Sequence, residues 1–108
     1  MVCRWTTTAR FAEGARCSIL LDDGQRLRGT ILPLKASGHA FNEEVDTQMT
    51  SWDNLELRVD EFAYNEADLR KLGIQIGNFL SIDPCPEISE SGFINSRHLD
   101  DKAGVAAL

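Results

Sequence analysis

The stretch Arg16–Leu32 constrains the fold more than any other part of this chain. Cys17 to Leu21 is an apolar run, Asp22-Asp23-Gly24-Gln25 carries turn chemistry, and Arg26 to Leu32 alternates. Leu27, Gly29 and Ile31 fall on one side of an extended strand, with Arg26, Arg28 and Thr30 on the other. Asp-Gly favours the positive φ angles of a type I′ turn, so an antiparallel hairpin is predicted here.

The remaining chain reads as short elements between turn signals. Pro33, Gly38 and the polar run Asn42-Glu43-Glu44 predict a long loop over 33–53 with at most a short strand. Leu55, Leu57 and Val59 alternate with Glu56, Arg58 and Asp60, the pattern of a half-buried strand. A helix of about two turns follows: Asn65 is the N-cap and Asp68 supplies a shortened capping box. Tyr64 and Leu69 have the spacing of a hydrophobic staple, Glu66 and Arg70 are an i,i+4 pair, and Leu69 and Leu72 share the buried face. Gly73 is placed to end the helix with a left-handed cap. A turn at Gly77-Asn78 leads to a strand over Phe79–Ile82, Pro84 and Pro86 break regular structure around Cys85, and a final strand covers Phe93–Ser96. The expected fold is mainly β: a small β-barrel with one short α-helix.

Composition narrows the class of protein. The 108 residues suit one domain, and 43% hydrophobic with 26% charged residues is ordinary for a soluble fold. A net charge of −6 without clustered Lys and Arg argues against a nucleic-acid partner. Arg26 and Arg28 read as a solvated strand face. No apolar run reaches the ~18–20 residues of a membrane span, and Met1–Thr8 lacks the apolar core of a signal peptide. Three distant cysteines, Cys3, Cys17 and Cys85, form no C-x-x-C pair, which favours the reducing cytoplasm over a disulfide framework.

The chemistry-bearing residues concentrate at Ser96-Arg97-His98-Leu99-Asp100-Asp101-Lys102-Ala103-Gly104-Val105-Ala106-Ala107-Leu108. Asp100 and Asp101 are adjacent carboxylates at an expected strand-to-helix junction, where one can meet a metal while the other orients a neighbour. An N-cap is the plainer role for either. In an extended strand His98 would point the same way as Asp100, a weak metal-binding pattern. His39 reads as a loop residue, and Glu43-Glu44 as a solvated acidic loop rather than an acid/base pair. Cys85 has no basic partner nearby in sequence, and Ser18 and Ser96 lack a G-x-S-x-G context, so none reads as a nucleophile. Val105 to Leu108 carry neither charge nor C-cap, the pattern expected of a segment of a larger protein.

The string Ser96–Val105 resembles the Asp-Asp-Lys/Arg-x-Gly segment of the glutamyl (TET-type) aminopeptidases, a family of binuclear-metal peptidases. The hairpin Arg16–Leu32, the Gly38-His39 loop, the strand Leu55–Asp60 and the run Leu72-Gly73-Ile74-Gln75-Ile76-Gly77-Asn78 follow the order of that family's inserted β-barrel. Asn78 departs from the pattern, since many members carry Asp there. The stretch Gly29–His39 looks closest to a bacterial subgroup associated with synthesis of an N-acetylglutaminylglutamine amide osmolyte.

The resemblance implies that Asp100 bridges two divalent ions (zinc, cobalt or manganese) in the parent enzyme. It implies that Asp101 supports it at an unusual, often cis, peptide bond, with Lys102 at the family's basic position. The family's early His-x-Asp motif, its Glu-Glu pair and its further Asp and His ligands find no match here. His98-Leu99-Asp100 and Glu43-Glu44 lie in the wrong places to be them. Residues 1–97 would then be a barrel insert serving oligomer assembly and active-site access, and 98–108 the start of a catalytic-domain helix, excised from an α/β metallopeptidase. The expected parent is a homo-oligomeric cytoplasmic aminopeptidase acting on peptides. The piece alone is expected to be inactive, with no residue of its own that catalyses, and to bind metal weakly. The rival reading is a free-standing β-barrel module that captures peptide or protein by strand addition.

Overall fold

The computed structural model describes residues 7–108, so Cys3 and the start of the expected barrel insert lie outside the described residues. A turn of helix, α1 (Ala9–Ala12), leads into β1 (Arg16–Leu20) and β2 (Arg26–Pro33). Two helical turns, α2 (Gly38–Phe41) and α3 (Glu44–Thr47), and a 3₁₀ turn at Trp52–Asn54 precede β3 (Leu55–Val59). Then come α4 (Glu66–Lys71), β4 (Phe79–Ile82), β5 (Glu87–Ile88), β6 (Ile94–Asn95) and α5 (Leu99–Ala106). The main sheet is antiparallel in the order β3-β2-β1-β4, and β5 pairs with β6 in a second, two-stranded sheet.

The expected hairpin is present, with Cys17 opposite Gly29 and Ile19 opposite Leu27. Its turn is not type I′, however. Asp22 and Asp23 avoid positive φ and only Gly24, at +84°, adopts it. The Gly24 N–H donates to the Leu21 carbonyl and the Leu21 N–H to the Gln25 carbonyl, each at 3.0 Å. This is a three-residue loop closed by a glycine bulge, and the Asp23 carboxylate holds it by accepting the Gln25 N–H at 2.9 Å.

Two further expectations need correction. Among the described residues the sheet is open, with β3 and β4 as its edges, so no barrel closes. Nor is there a single helix: several short ones accompany the sheet and together hold about as many residues as the strands. The presumed loop over 33–53 contributes two of those helical turns. Their residues lack a buried apolar face, which is why the period of a helix is invisible in the sequence.

The core lies where α1 covers the sheet. Ala12, Cys17 and Ile31 are buried together, with Trp52, Leu55, Leu80 and Ile82 packed around them. Alternation along β1 and β2 puts Cys17, Ile19, Gly29 and Ile31 on the same covered side. The Gly14 N–H donates to the Ile31 carbonyl at 2.8 Å and the Ile31 N–H to the Ala15 carbonyl at 3.0 Å, which closes α1 onto the sheet.

At Gly29 space is the constraint. A Cβ there would stand 2.7 Å from the Arg58 carbonyl oxygen and 2.9 Å from Leu57 Cδ1. The carbonyl belongs to β3 and cannot swing away. Gly29→Ala must therefore shift one strand against the other, an overpacking change that costs about 1–3 kcal/mol. A urea-unfolding midpoint that falls at constant m-value checks this; an unchanged midpoint refutes the crowding.

Helix α4 forms as its sequence predicts. Asn65 Oδ1 accepts the Asp68 N–H at 3.0 Å, and Asp68 Oδ2 reaches back to the Tyr64 N–H at 3.2 Å. Glu66 pairs with Arg70. Gly73, at φ +83°, donates to the Arg70 carbonyl and Ile74 to the Leu69 carbonyl, the hydrogen-bond pair of a Schellman cap. Tyr64, the expected staple residue, is 84% exposed.

Candidate functional site

The segment carrying the two carboxylates leaves β6 under three restraints. Ser96 Oγ donates to the Pro84 carbonyl at 2.9 Å, and the Arg97 N–H donates to the same oxygen at 2.8 Å. The Arg97 guanidinium donates to the Phe11 carbonyl on α1. The last residues before Asp100 are thus fastened both to the end of β4 and to the helix that precedes the sheet.

His98 then takes the left-handed conformation, at φ 66° and ψ 25°. It is not in an extended strand, so the expected parallel aim of His98 and Asp100 does not arise. Asp100 (φ −86°, ψ 112°) and Asp101 (φ −111°, ψ 26°) interrupt α5, and the peptide bond between them is cis. Regular helix resumes at Lys102. Both residues are exposed, at the break between sheet segment and helix. Their oxygens are hard donors of the type that suits divalent cations. Among the described residues no group of three or more His, Cys, Asp and Glu is gathered to hold a metal ion.

The other sequence candidates stand apart. His39 is exposed on α2. Glu44 is paired with Lys35, and Glu43 contributes its backbone carbonyl to Thr47 Oγ1 at 3.1 Å. Cys85 is exposed between its prolines at φ 45°. Cys17 is sealed in the core, where burial pushes its thiol up and away from reactivity. Ser18 Oγ accepts Arg28 Nη1 at 2.7 Å.

That last contact belongs to a polar ladder, so Arg28 is not part of the simply solvated face that its alternation with Arg26 predicts. Arg28 grips Asp83 through both terminal nitrogens, one at 2.8 Å, and Arg16 grips Asp60 likewise, one at 3.0 Å, while also meeting Thr30 Oγ1 at 2.7 Å. The signal was present in the sequence. Arg16 and Arg28 share the polar face of the hairpin, and each outer strand is followed at once by an aspartate. Hydrogen bonds from the arginines hold the Asp60 and Asp83 carboxyls below the usual carboxylate range.

The sign of the resulting pH dependence follows. Unfolded, each aspartate titrates near ~4, whereas folded it releases its proton at lower pH. The stabilisation is complete above ~4–5 and is lost as pH falls through the folded pKa values. The expected result is a denaturation midpoint that drops between pH 5 and pH 3, and drops less in an Asp60→Asn/Asp83→Asn variant. Equal acid sensitivity of the two proteins would refute it.

Asp22 is a second polar hub, at the hairpin loop. Gln75 Nε2 donates to it, and so does Asn78 Nδ2 at 3.1 Å, while Asn78 Oδ1 accepts the Gln75 N–H at 2.7 Å. An ionised aspartate could only accept, whereas the Asn78 amide both donates and accepts here. An open groove of about 760 Å³ runs beside this hub, between Leu21, Leu69, Ile74 and Ile76. It does not include Asp100 or Asp101.

The family model for M42 glutamyl aminopeptidase matches residues 6–108. Over 96 residues the chain is 44% identical to the Bacillus subtilis (strain 168) protein named Putative aminopeptidase YhfE. That alignment covers 89% of this chain and 28% of the relative, so the chain spans little more than a quarter of the curated protein it matches. No helix among the described residues is long and apolar enough to cross a membrane. This chain belongs to the M42 glutamyl aminopeptidase family.

Proposed function

We propose that this chain is the assembly and access segment of a binuclear-metal aminopeptidase, joined to the first carboxylates of its metal centre. The observation that carries the reading is the Asp100-Asp101 pair at the break before Lys102, inside a family match over residues 6–108. In the parent enzyme Asp100 would hold the divalent ions, and Asp101 would support it. Zinc, cobalt or manganese bound there would polarise the scissile carbonyl and make water nucleophilic near neutral pH, so that an N-terminal residue is released from a peptide. Single carboxylates do not make a strong site, so the 108-residue chain by itself binds such ions weakly and does not turn over.

The uncovered apolar surface supports a role within a larger assembly. Phe11, Ile88, Phe93 and Val105 are each two-thirds or more exposed. The radius of gyration is 16.4 Å, against about 13 Å for a compact chain of this length. In this reading residues 1–97 form the insert, related to a barrel in the family and open here, and residues 98–108 begin the catalytic-domain helix. The parent assembles with its own copies and works in the cytoplasm, a compartment that suits the unpaired Cys17 and Cys85. The stretch Gly29–His39 supports the finer placement in the osmolyte-linked subgroup.

Calorimetric titration with zinc, of this chain and of the whole reading frame that carries it, tests the assignment. The reading expects two tight sites in the longer protein and none in the shorter. Tight binding by the 108 residues alone, or none by the longer protein, would overturn it.

A further inference from the structure

Glycine at position 104 is out of place by helix propensity. It lies in a run, Lys102 to Ala107, where alanine is used three times, and glycine is the poorer helix former. Its backbone is helical and its φ is not positive, so the conformational freedom of glycine is not what the position uses. The use is space. A Cβ on Gly104 would stand 2.5 Å from Asp101 Oδ1, 3.4 Å from its Cγ and 3.7 Å from Oδ2. The Asp101 carboxylate rests on the bare Cα of Gly104, in the volume that any side chain would fill.

We propose that Gly104 is a positioning residue for the carboxylate pair. A side chain there turns the Asp101 carboxylate off the helix, and with it changes how Asp101 supports the neighbouring Asp100. The metal side of this inference rests on the reading of Asp100 and Asp101 as metal-facing; the seat itself rests only on the geometry. A flexible aspartate can rotate away, so the substitution redirects a side chain rather than unfolding the protein.

Two measurements separate these parts. In the 108-residue chain, three-bond Hα–Hβ couplings report the Asp101 rotamer. Gly104→Ala is expected to change them while helix content by circular dichroism stays level or rises; Ala103→Gly, one residue earlier, leaves the couplings as they were. Unchanged couplings in Gly104→Ala would overturn the seat. In the whole reading frame, titration with cobalt(II), read by its visible absorption, is expected to show affinity weakened about 10–100-fold by Gly104→Ala, the usual effect of losing a supporting partner. Cobalt affinity equal to wild type would overturn the positioning role. A wild-type protein that binds no cobalt would refute the metal reading, and the couplings would still decide the seat.

Discussion

Truncating Ile31 to alanine is expected to lower the unfolding free energy by about 2–5 kcal/mol, the range for a buried isoleucine whose cavity cannot collapse. Ile31 is 2% exposed and packs with Ala12 and Cys17, two residues too small to move into the space it leaves. Its own N–H and C=O are committed to Ala15 and Gly14, so the backbone cannot follow the missing side chain. Few side chains share this core. A small domain is stable by only about 5–15 kcal/mol, so the loss is a large part of the total. Ile76→Ala is the matched comparison. That side chain is 83% exposed, and its removal is expected to change stability by no more than about 0.5 kcal/mol. Urea denaturation of both variants checks the pair of values; similar losses would show that the core lies elsewhere.

The largest functional effect is expected at Asp100. In the whole reading frame, Asp100→Asn keeps the size of the side chain and removes the charge that would hold two cations together. Peptide hydrolysis should fall by more than the ~10–100-fold that follows loss of an outer partner, and metal content should fall with it. Asp101→Asn is expected to stay within that smaller range, because Asp101 acts through its neighbour. Stability should barely respond to either change, since both side chains are exposed. Activity assays with metal analysis on the same samples test the ranking. Equal losses at both positions would assign the two carboxylates the same role.

Local features of the fold were legible in the sequence. Helix α4 was bounded by Asn65 and Gly73 because caps act within a few residues of themselves, and the β1–β2 hairpin followed from alternation around Asp22–Gln25. Closure of the sheet was not legible. Whether β3 and β4 meet depends on contacts far apart in sequence, which short patterns do not encode, and here they remain opposite edges. The turn type failed for a nearer reason. A type I′ turn needs Asp23-Gly24 as its central pair, whereas the turn here is centred on Asp22-Asp23 and uses Gly24 as the bulge. The arginine ladder has only a faint sequence signal, two arginines on one hairpin face and an aspartate after each outer strand, because each pair joins residues distant in sequence, such as Arg28 and Asp83. At the site, spacing alone reads Asp100-Asp101 as a helix cap, and only the family resemblance points to a metal-facing role. The left-handed turn at His98, which removes that side chain from the strand phase, had no sequence signal.

The most direct measurement is release of the N-terminal residue from a short peptide, with zinc, cobalt or manganese supplied, by the 108-residue chain and by the whole reading frame side by side. The account predicts metal-dependent turnover by the longer protein alone, abolished by chelation and restored by added metal. Turnover by the 108 residues, or a longer protein that stays inactive with every ion, would contradict it.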